Sequence, residues 1–196
     1  MANQIQANGL ATLRGVLANE TMKRRFEEIL KESAGAFMAS IIELYQGDSY
    51  LQKCSAHAVV LEALKAATLK LPINKALGFA YIIPYGSTPT FVIGYKGLIQ
   101  LAMRSGQYRY INADVVCEGE EIHYNRVTGA LEIQGIPKSD KVIGYFAYFQ
   151  LLNGFEKAIY WTRERVTEHA QKYSKSFSIN GSAWKTNFDD MALKTV

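Results

Sequence analysis

Lys96, Gln100 and Arg104 are spaced i, i+4 and i+8, which stacks two cations and an amide on one face of a helix. Arg109 follows shortly after, flanked by Tyr108 and Tyr110. Such groups suit the binding of phosphates, because Lys, Arg and amide donors all contact phosphate oxygens. The whole stretch from Ala63 to Ala113 is 51 residues long and contains no Asp or Glu. At the chain's average composition it would hold roughly five. It carries six basic residues and seven aromatics, namely Phe79, Tyr81, Tyr85, Phe91, Tyr95, Tyr108 and Tyr110. Carboxylates beside a polyanion would repel it, so an acid-free basic segment suits one. Interleaved aromatics suit nucleic-acid bases better than a plain phosphate ligand.

A second acid-free stretch runs from His169 to Phe188. It holds Lys172, Lys175 and Lys185, with Tyr173, Phe177 and Trp184. Cations, hydroxyls and an aromatic ring crowd the run Gln171 to Ser176, a mixture suited to a nucleic-acid backbone. Each feature also has a plainer explanation. The helical stripe can be a solvated face, the loop an ordinary surface loop, and Trp184 a core anchor that positions the last loop. In a regular strand Tyr108 and Tyr110 share the face opposite Arg109, so either the rings or the guanidinium faces a ligand.

Signatures of bond chemistry are weak. GxxxxGK[ST] does not occur, and Gly94-Tyr-Lys-Gly97 is too short for a dinucleotide fingerprint. Cys54 and His57 lie three apart on an expected helix, which reads first as packing and second as a nucleophile pair. Glu118, Glu120, Glu121 and His123 would suit a metal, or more simply a charged strand edge. The basic segments hold no carboxylate, which argues against a metal nuclease. No cofactor and no metal is expected.

The elements that must position these groups are legible as pattern. The chain has 196 residues, 48% hydrophobic and 20% charged, with a formal net charge of +4. That suits one large domain, or a domain with an arm. Two distant cysteines give no disulfide framework, and a reducing cytoplasm is expected. Residues 1–10 lack the apolar core of a signal peptide, and no apolar run would span a bilayer. Three helices are expected, from Thr21 as cap to Leu30, over Ala34–Tyr45 and over Ser55–Leu69, the last ended by Pro72. Strands follow over Gly78–Tyr85 and Thr90–Tyr95, joined through Pro84 to Pro89. Lys96–Ser105 reads as a buried helix that keeps only its polar stripe at the surface. Further strands are expected over Tyr108–Cys117, Glu121–Asn125, Ala130–Gln134, Val142–Leu152 and Phe155–Trp161, with Asn153-Gly154 as a hairpin turn. Thr162 caps a helix through Tyr173, and a last helix starts near Asp189. That helix is still running at Val196 with no C-cap, which reads as a truncated chain. The expected fold is α+β, with antiparallel hairpins packed against helices. A helical arm over 1–50 precedes a core over 51–196.

The runs Ala76 to Gly86, Phe91 to Gly106 and Ala183 to Val196 closely resemble the RecT family of phage single-strand annealing proteins. With the hairpin that contains Tyr145, the resemblance covers residues 20–196. It implies an ATP-independent recombinase that binds single-stranded DNA and anneals it to a complementary strand, without making or breaking bonds. It implies a core distantly like that of the lambda Red beta protein. It further implies ring or helical homo-oligomers and an annealed duplex intermediate; the N-terminal arm is expected to pack on the core or on a neighbouring subunit, where it would serve oligomerisation. The expected partners are a RecE-type exonuclease and the host single-strand-binding protein, in the cytoplasm of a bacterium carrying a phage or prophage. Family members continue beyond Lys194-Thr195, and that further part is implicated in binding partners. The expected DNA face is Lys96, Gln100, Arg104, Arg109, Lys172, Tyr173, Lys175, Trp184 and Lys185. A protective single-strand binder without annealing is the alternative.

Overall fold

The computed structural model describes the backbone of residues 2–196 and side chains from residue 9 onward. The fold is α+β, and its contacts divide it into two compact units, residues 1–104 and residues 105–196. Sequence reading set a boundary near residue 50, between arm and core. The contacts divide the chain near residue 104, and apolar side chains of residues 10–44 pack in the first unit.

The first unit is built around a helix, α4 (Ala56–Thr68), which buries Val59, Val60, Ala63, Leu64, Ala66 and Ala67. Small and β-branched residues all round this helix let others approach closely. Leu13 and Leu17 of α1 (Ala2–Ala18), Met22 and Phe26 of α2 (Glu20–Leu30) and Ile41 of α3 (Ala34–Gln46) share its core. The cap of α2 is Asn19, not Thr21. The Asn19 side-chain oxygen accepts from the amides of Thr21 and Met22 at 3.1 and 3.3 Å. Its extended backbone aims that oxygen at the first free N–H groups and leaves Thr21 inside the opening turn. α4 stops before Pro72 is reached. Lys70 adopts a left-handed conformation, and Leu71 donates back to the Ala66 carbonyl at 3.0 Å, the helix-closing arrangement usually given to glycine.

A hairpin, β1 (Ala80–Tyr85) and β2 (Thr88–Ile93), packs on α4. Only Gly86 and Ser87 form its turn, with Gly86 at φ +64°. Pro84 and Pro89 were expected to lie in the connection. They pair with each other inside the ladder instead. Tyr85 and Thr88 close the turn, so the next pair is a non-hydrogen-bonded one. Neither proline is then asked for a ladder N–H.

α5 (Tyr95–Ser105) follows, and it is not a buried helix. Gly97 is its buried residue, and Leu101 packs against the core. Leu98, Ile99 and Met103 are exposed. The contact seam is narrow because the backbones nearly touch. A Cβ on Gly97 would overlap the Phe79 carbonyl oxygen, and one on Gly94 the Gly78 carbonyl oxygen. Gly94-Tyr-Lys-Gly97 is therefore a close-approach device that seats the start of α5 on the strand entering β1.

In the second unit, β6 (Val142–Leu151) is the centre of a three-stranded antiparallel sheet, between β3 (Tyr108–Cys117) and β7 (Glu156–Thr162). The β6–β7 turn is the expected Asn153-Gly154, with Gly154 at φ +88°. A smaller hairpin, β4 (Glu121–Tyr124) with β5 (Leu131–Gln134), lies beside β7. α6 (Arg163–Tyr173) and α8 (Phe188–Thr195) cover one end of one sheet face, with the single turn α7 (Ala183–Thr186) before α8. Tyr145 is fully buried beneath them with Val166, Ala170, Trp184 and Ala192. Thr162 caps α6 as expected, its hydroxyl accepting from the Arg165 amide at 3.2 Å. No helix of the described residues is long and apolar enough to cross a membrane.

Gly97→Ala tests the close approach. Overpacking against backbone should cost about 1–3 kcal/mol, read as a lower Tm. Unchanged thermal unfolding would show that α5 can lift without penalty.

Candidate nucleic-acid interface

The absence of acids in sequence translates only in part to absence in space. Lys65 pairs with Glu62 at 2.6 Å, and Lys75 with Asp48 at 2.7 Å. Both carboxylates come from outside the acid-free stretch. Glu62 also accepts from the Phe91 amide at 2.8 Å. Burial raises its carboxyl, and these hydrogen bonds outweigh that and hold it below the usual carboxylate range. Lys65 and Lys75 are thus occupied structurally. Lys96, Arg104 and Arg109 are exposed and have no ion-pair partner among the described residues.

Lys96 and Arg104 lie on α5 in the first unit, with Gln100 half-buried between them. The stripe reaches solvent as expected, but beside apolar side chains that were expected to be covered. Phe79 and Phe91 of the same segment pack against the core. Tyr85 and Tyr95 remain exposed.

Arg109 sits in β3 of the second unit, where the strand register shifts between Tyr108 and Tyr110. The bulge separates two tyrosines that regular alternation would put on one face. Tyr108 pairs with Leu151 and meets the Phe149 ring at 5.7 Å, whereas Tyr110 pairs with Gln150. They therefore face opposite sides of the sheet.

Around the second acid-free stretch, Lys172, Lys175 and Lys185 are all exposed. Lys172 lies over the Tyr173 ring, 5.2 Å from its centroid, and Lys185 over the Phe177 ring at 4.8 Å. Exposed cation–ring contacts are worth only about 0.5–1 kcal/mol, so they orient these lysines without withdrawing them from an anion. Trp184 is 4% exposed and offers no ring face to a base. Its indole N–H donates to the Ser174 hydroxyl at 2.9 Å, and its ring packs against Phe177 and Phe188. It fixes both ends of the loop that carries Lys175. Tyr173 remains exposed and meets the His169 ring at a tilt, 4.7 Å between centroids, and His169 in turn meets Trp161.

Sequence reading missed Arg163 and Asp189. Arg163 donates to Asp189 at 2.6 Å and to the Tyr145 hydroxyl at 2.8 Å, and that hydroxyl donates to Asp189 at 2.5 Å. The guanidinium also lies over Phe188 at 4.4 Å. Burial and the bond to Asp189 push the Tyr145 phenol far up. Burial raises the Asp189 carboxyl, but Tyr145 and Arg163 outweigh it and leave the group below its ordinary value. A carboxylate in the first turn of α8 was the available signal, since helix N-termini favour negative charge. Its partners are 26 and 44 residues away in sequence, beyond any local pattern.

The Cys–His pair does not form. Cys54 is buried, its thiol pointing to the Tyr50 and Gly86 carbonyls and pushed up chiefly by burial. His57 is exposed, beside Thr12, Gly15 and Val16. Glu118 is engaged by Lys141 and Ser139, and His123 pairs across the hairpin with Glu132.

These features define a class: an α+β protein with exposed cations that have no carboxylate partner among the described residues. Comparison with known proteins gives the family. The RecT family model matches residues 35–196. An uncharacterized protein, YqaK, of Bacillus subtilis (strain 168) is 48% identical over 193 residues, covering 98% of this chain and 66% of that protein. Protein RecT of Escherichia coli (strain K12) is 30% identical over 155 residues, covering 74% of this chain and 56% of that protein. The chain spans just under two thirds of one relative and just over half of the other. It belongs to the RecT family.

Because the folded Asp189 carboxyl lies below its ordinary 3.8, its stabilisation is complete above about pH 4 and is lost as pH falls through the depressed value. Asp189→Asn should lower Tm at neutral pH and flatten the acid limb of stability against pH. An acid limb identical to wild type would remove Asp189 from that role.

Proposed function

We propose that this chain binds single-stranded DNA through exposed unpaired cations and anneals it to a complementary strand. The observation that carries the reading is the set Lys96, Arg104, Arg109 and Lys175, exposed and without carboxylate partners among the described residues. Gln100 in the first unit, and Lys172, Tyr173 and Lys185 in the second, are the further DNA contacts of this reading, and Trp184 serves those of the second by holding the loop. RecT family membership supplies the annealing part of the reading.

Annealing asks for no bond chemistry. It asks that two polyanions lie close without repelling each other, with base edges free. Cations on phosphates meet that need and leave the sequence unread. Base pairing then drives the product, at about 1.4 kcal/mol per stacked step, so no nucleotide hydrolysis is needed. We read the protein as a recombination factor and not an enzyme, acting in the host cytoplasm with no cofactor. Assembly of copies along the strand, as a ring or a helical filament, would multiply weak contacts by effective concentration. A RecE-type exonuclease and the host single-strand-binding protein are the partners this reading implies. Apolar side chains of residues 10–44 are used within the first unit, so any part these residues take in assembly falls to their exposed surfaces.

The experiment mixes complementary oligonucleotides with protein and no nucleotide, and follows duplex formation. Acceleration over spontaneous pairing is expected; protection of single strands without acceleration would select the protective binder instead. Affinity for a single strand should fall with salt at about −0.7 in log–log slope per phosphate contacted. Arg104→Ala should lower that slope by about 0.7 and slow annealing while Tm stays unchanged. A slope that does not move would take Arg104 out of the DNA face.

A further inference from the structure

The register of the central sheet sorts side chains into two faces of opposite character. On the face that carries α6 and α8, four rows cross the strands. Val115, Tyr145 and Trp161 form the first row, beneath the helices, and Ala113, Ala147 and Ile159 the second. Ile111, Phe149 and Lys157 form the third. Tyr108, Leu151 and Phe155 form the fourth, where the Leu151 amide donates to the Phe155 carbonyl at 2.7 Å. Both acids of these strands, Asp114 and Glu156, alternate onto the opposite face. There Glu156 accepts from Tyr148 and Gln150.

The third and fourth rows lie beyond the helices and are partly exposed. Tyr108 is 38% exposed, Ile111 44% and Phe155 55%. Tyr108 meets Phe149 at 5.7 Å, and Phe149 meets Phe155 at 5.9 Å, so the three rings form one cluster. Lys157, beside Phe149, is exposed and has no ion-pair partner among the described residues, and no carboxylate of the three strands alternates onto this face. An apolar patch meant for water would carry mixed charge. A patch with rings, one sign of charge and no acid complements a ligand that joins flat π faces to anions.

We propose that Tyr108, Phe149 and Phe155, with Lys157, form a platform on which unpaired bases of a bound single strand stack. The proposal rests on the reading of the protein as a single-strand binder and adds a contact to bases where that reading supplies contacts to phosphates. Tyr108 and Phe155 present the outer rings, Phe149 supports them, and Lys157 meets a neighbouring phosphate. Stacking on ring faces accepts every base, so the platform leaves annealing independent of sequence.

The test compares the full chain with Phe155→Ala and Tyr108→Ala on two oligonucleotides of equal length, one of thymidines and one abasic. A thymidine strand carrying 2-aminopurine reports stacking by its fluorescence. Wild type should favour the base-bearing strand. Each substitution should cut affinity for it by about tenfold, leave abasic affinity and salt slope unchanged, and restore probe fluorescence. Phe155→Trp should retain the preference, separating a stacking loss from a packing loss. If wild type binds neither strand, single-strand binding itself fails and not merely the platform. Equal affinity of wild type for both strands overturns the platform alone. So does a change in oligomer mass by light scattering, without DNA, in place of the change in base preference; the patch would then be a contact between copies.

Discussion

One carboxylate holds the second unit to its own C-terminal helix. Asp189 receives the Tyr145 hydroxyl from the middle of the sheet and the Arg163 guanidinium from the start of α6. Three elements far apart in sequence thereby meet at one oxygen. The loop between α6 and α8 can then be polar and rich in lysine without drifting, because both its ends are anchored. Trp184 adds the second tether, through Ser174. A surface built to hold an anion contributes little to its own folding, so the neighbouring core must supply the order.

The same division of labour governs charge. Surface ion pairs stabilise by about 1 kcal/mol at most, so leaving Lys96, Arg104 or Arg109 unpaired costs the fold little. What matters is where the acids go. Asp48 and Glu62 engage Lys75 and Lys65, and Glu118 engages Lys141. Each is consumed locally. Among the described residues Lys96, Arg104 and Arg109 have no ion-pair partner.

Much of this was legible in the sequence where structure is set by near neighbours. The α+β class, the order of elements from α2 to α6, the Asn153-Gly154 turn and the Thr162 cap follow from periodicity and turn chemistry, whereas α1 and α7 were not expected. The failures are of one kind. The Asn19 cap, the prolines inside the β1–β2 ladder and the exposed face of α5 each depend on a partner that local pattern does not name. The bulge at Arg109 is the sharpest case, since alternation read straight through it puts Tyr108 and Tyr110 together. Of the expected DNA-face residues, the exposed lysines and arginines stand at the surface as their composition suggests. Trp184 does not, because a large ring beside two others is worth more inside than out.

Glu156 and Lys157 are adjacent in sequence and opposite in charge, and they emerge on opposite sides of the sheet. Their sorting is set by the turn at Asn153-Gly154, which fixes how β7 counts against β6. An insertion of one residue there would work like a reading-frame error in space. Every side chain of β7 would change sides, the acid would arrive among the rings and the lysine would leave them. The electrical polarity of the sheet is therefore written in the length of a loop, at a place where no charged residue stands.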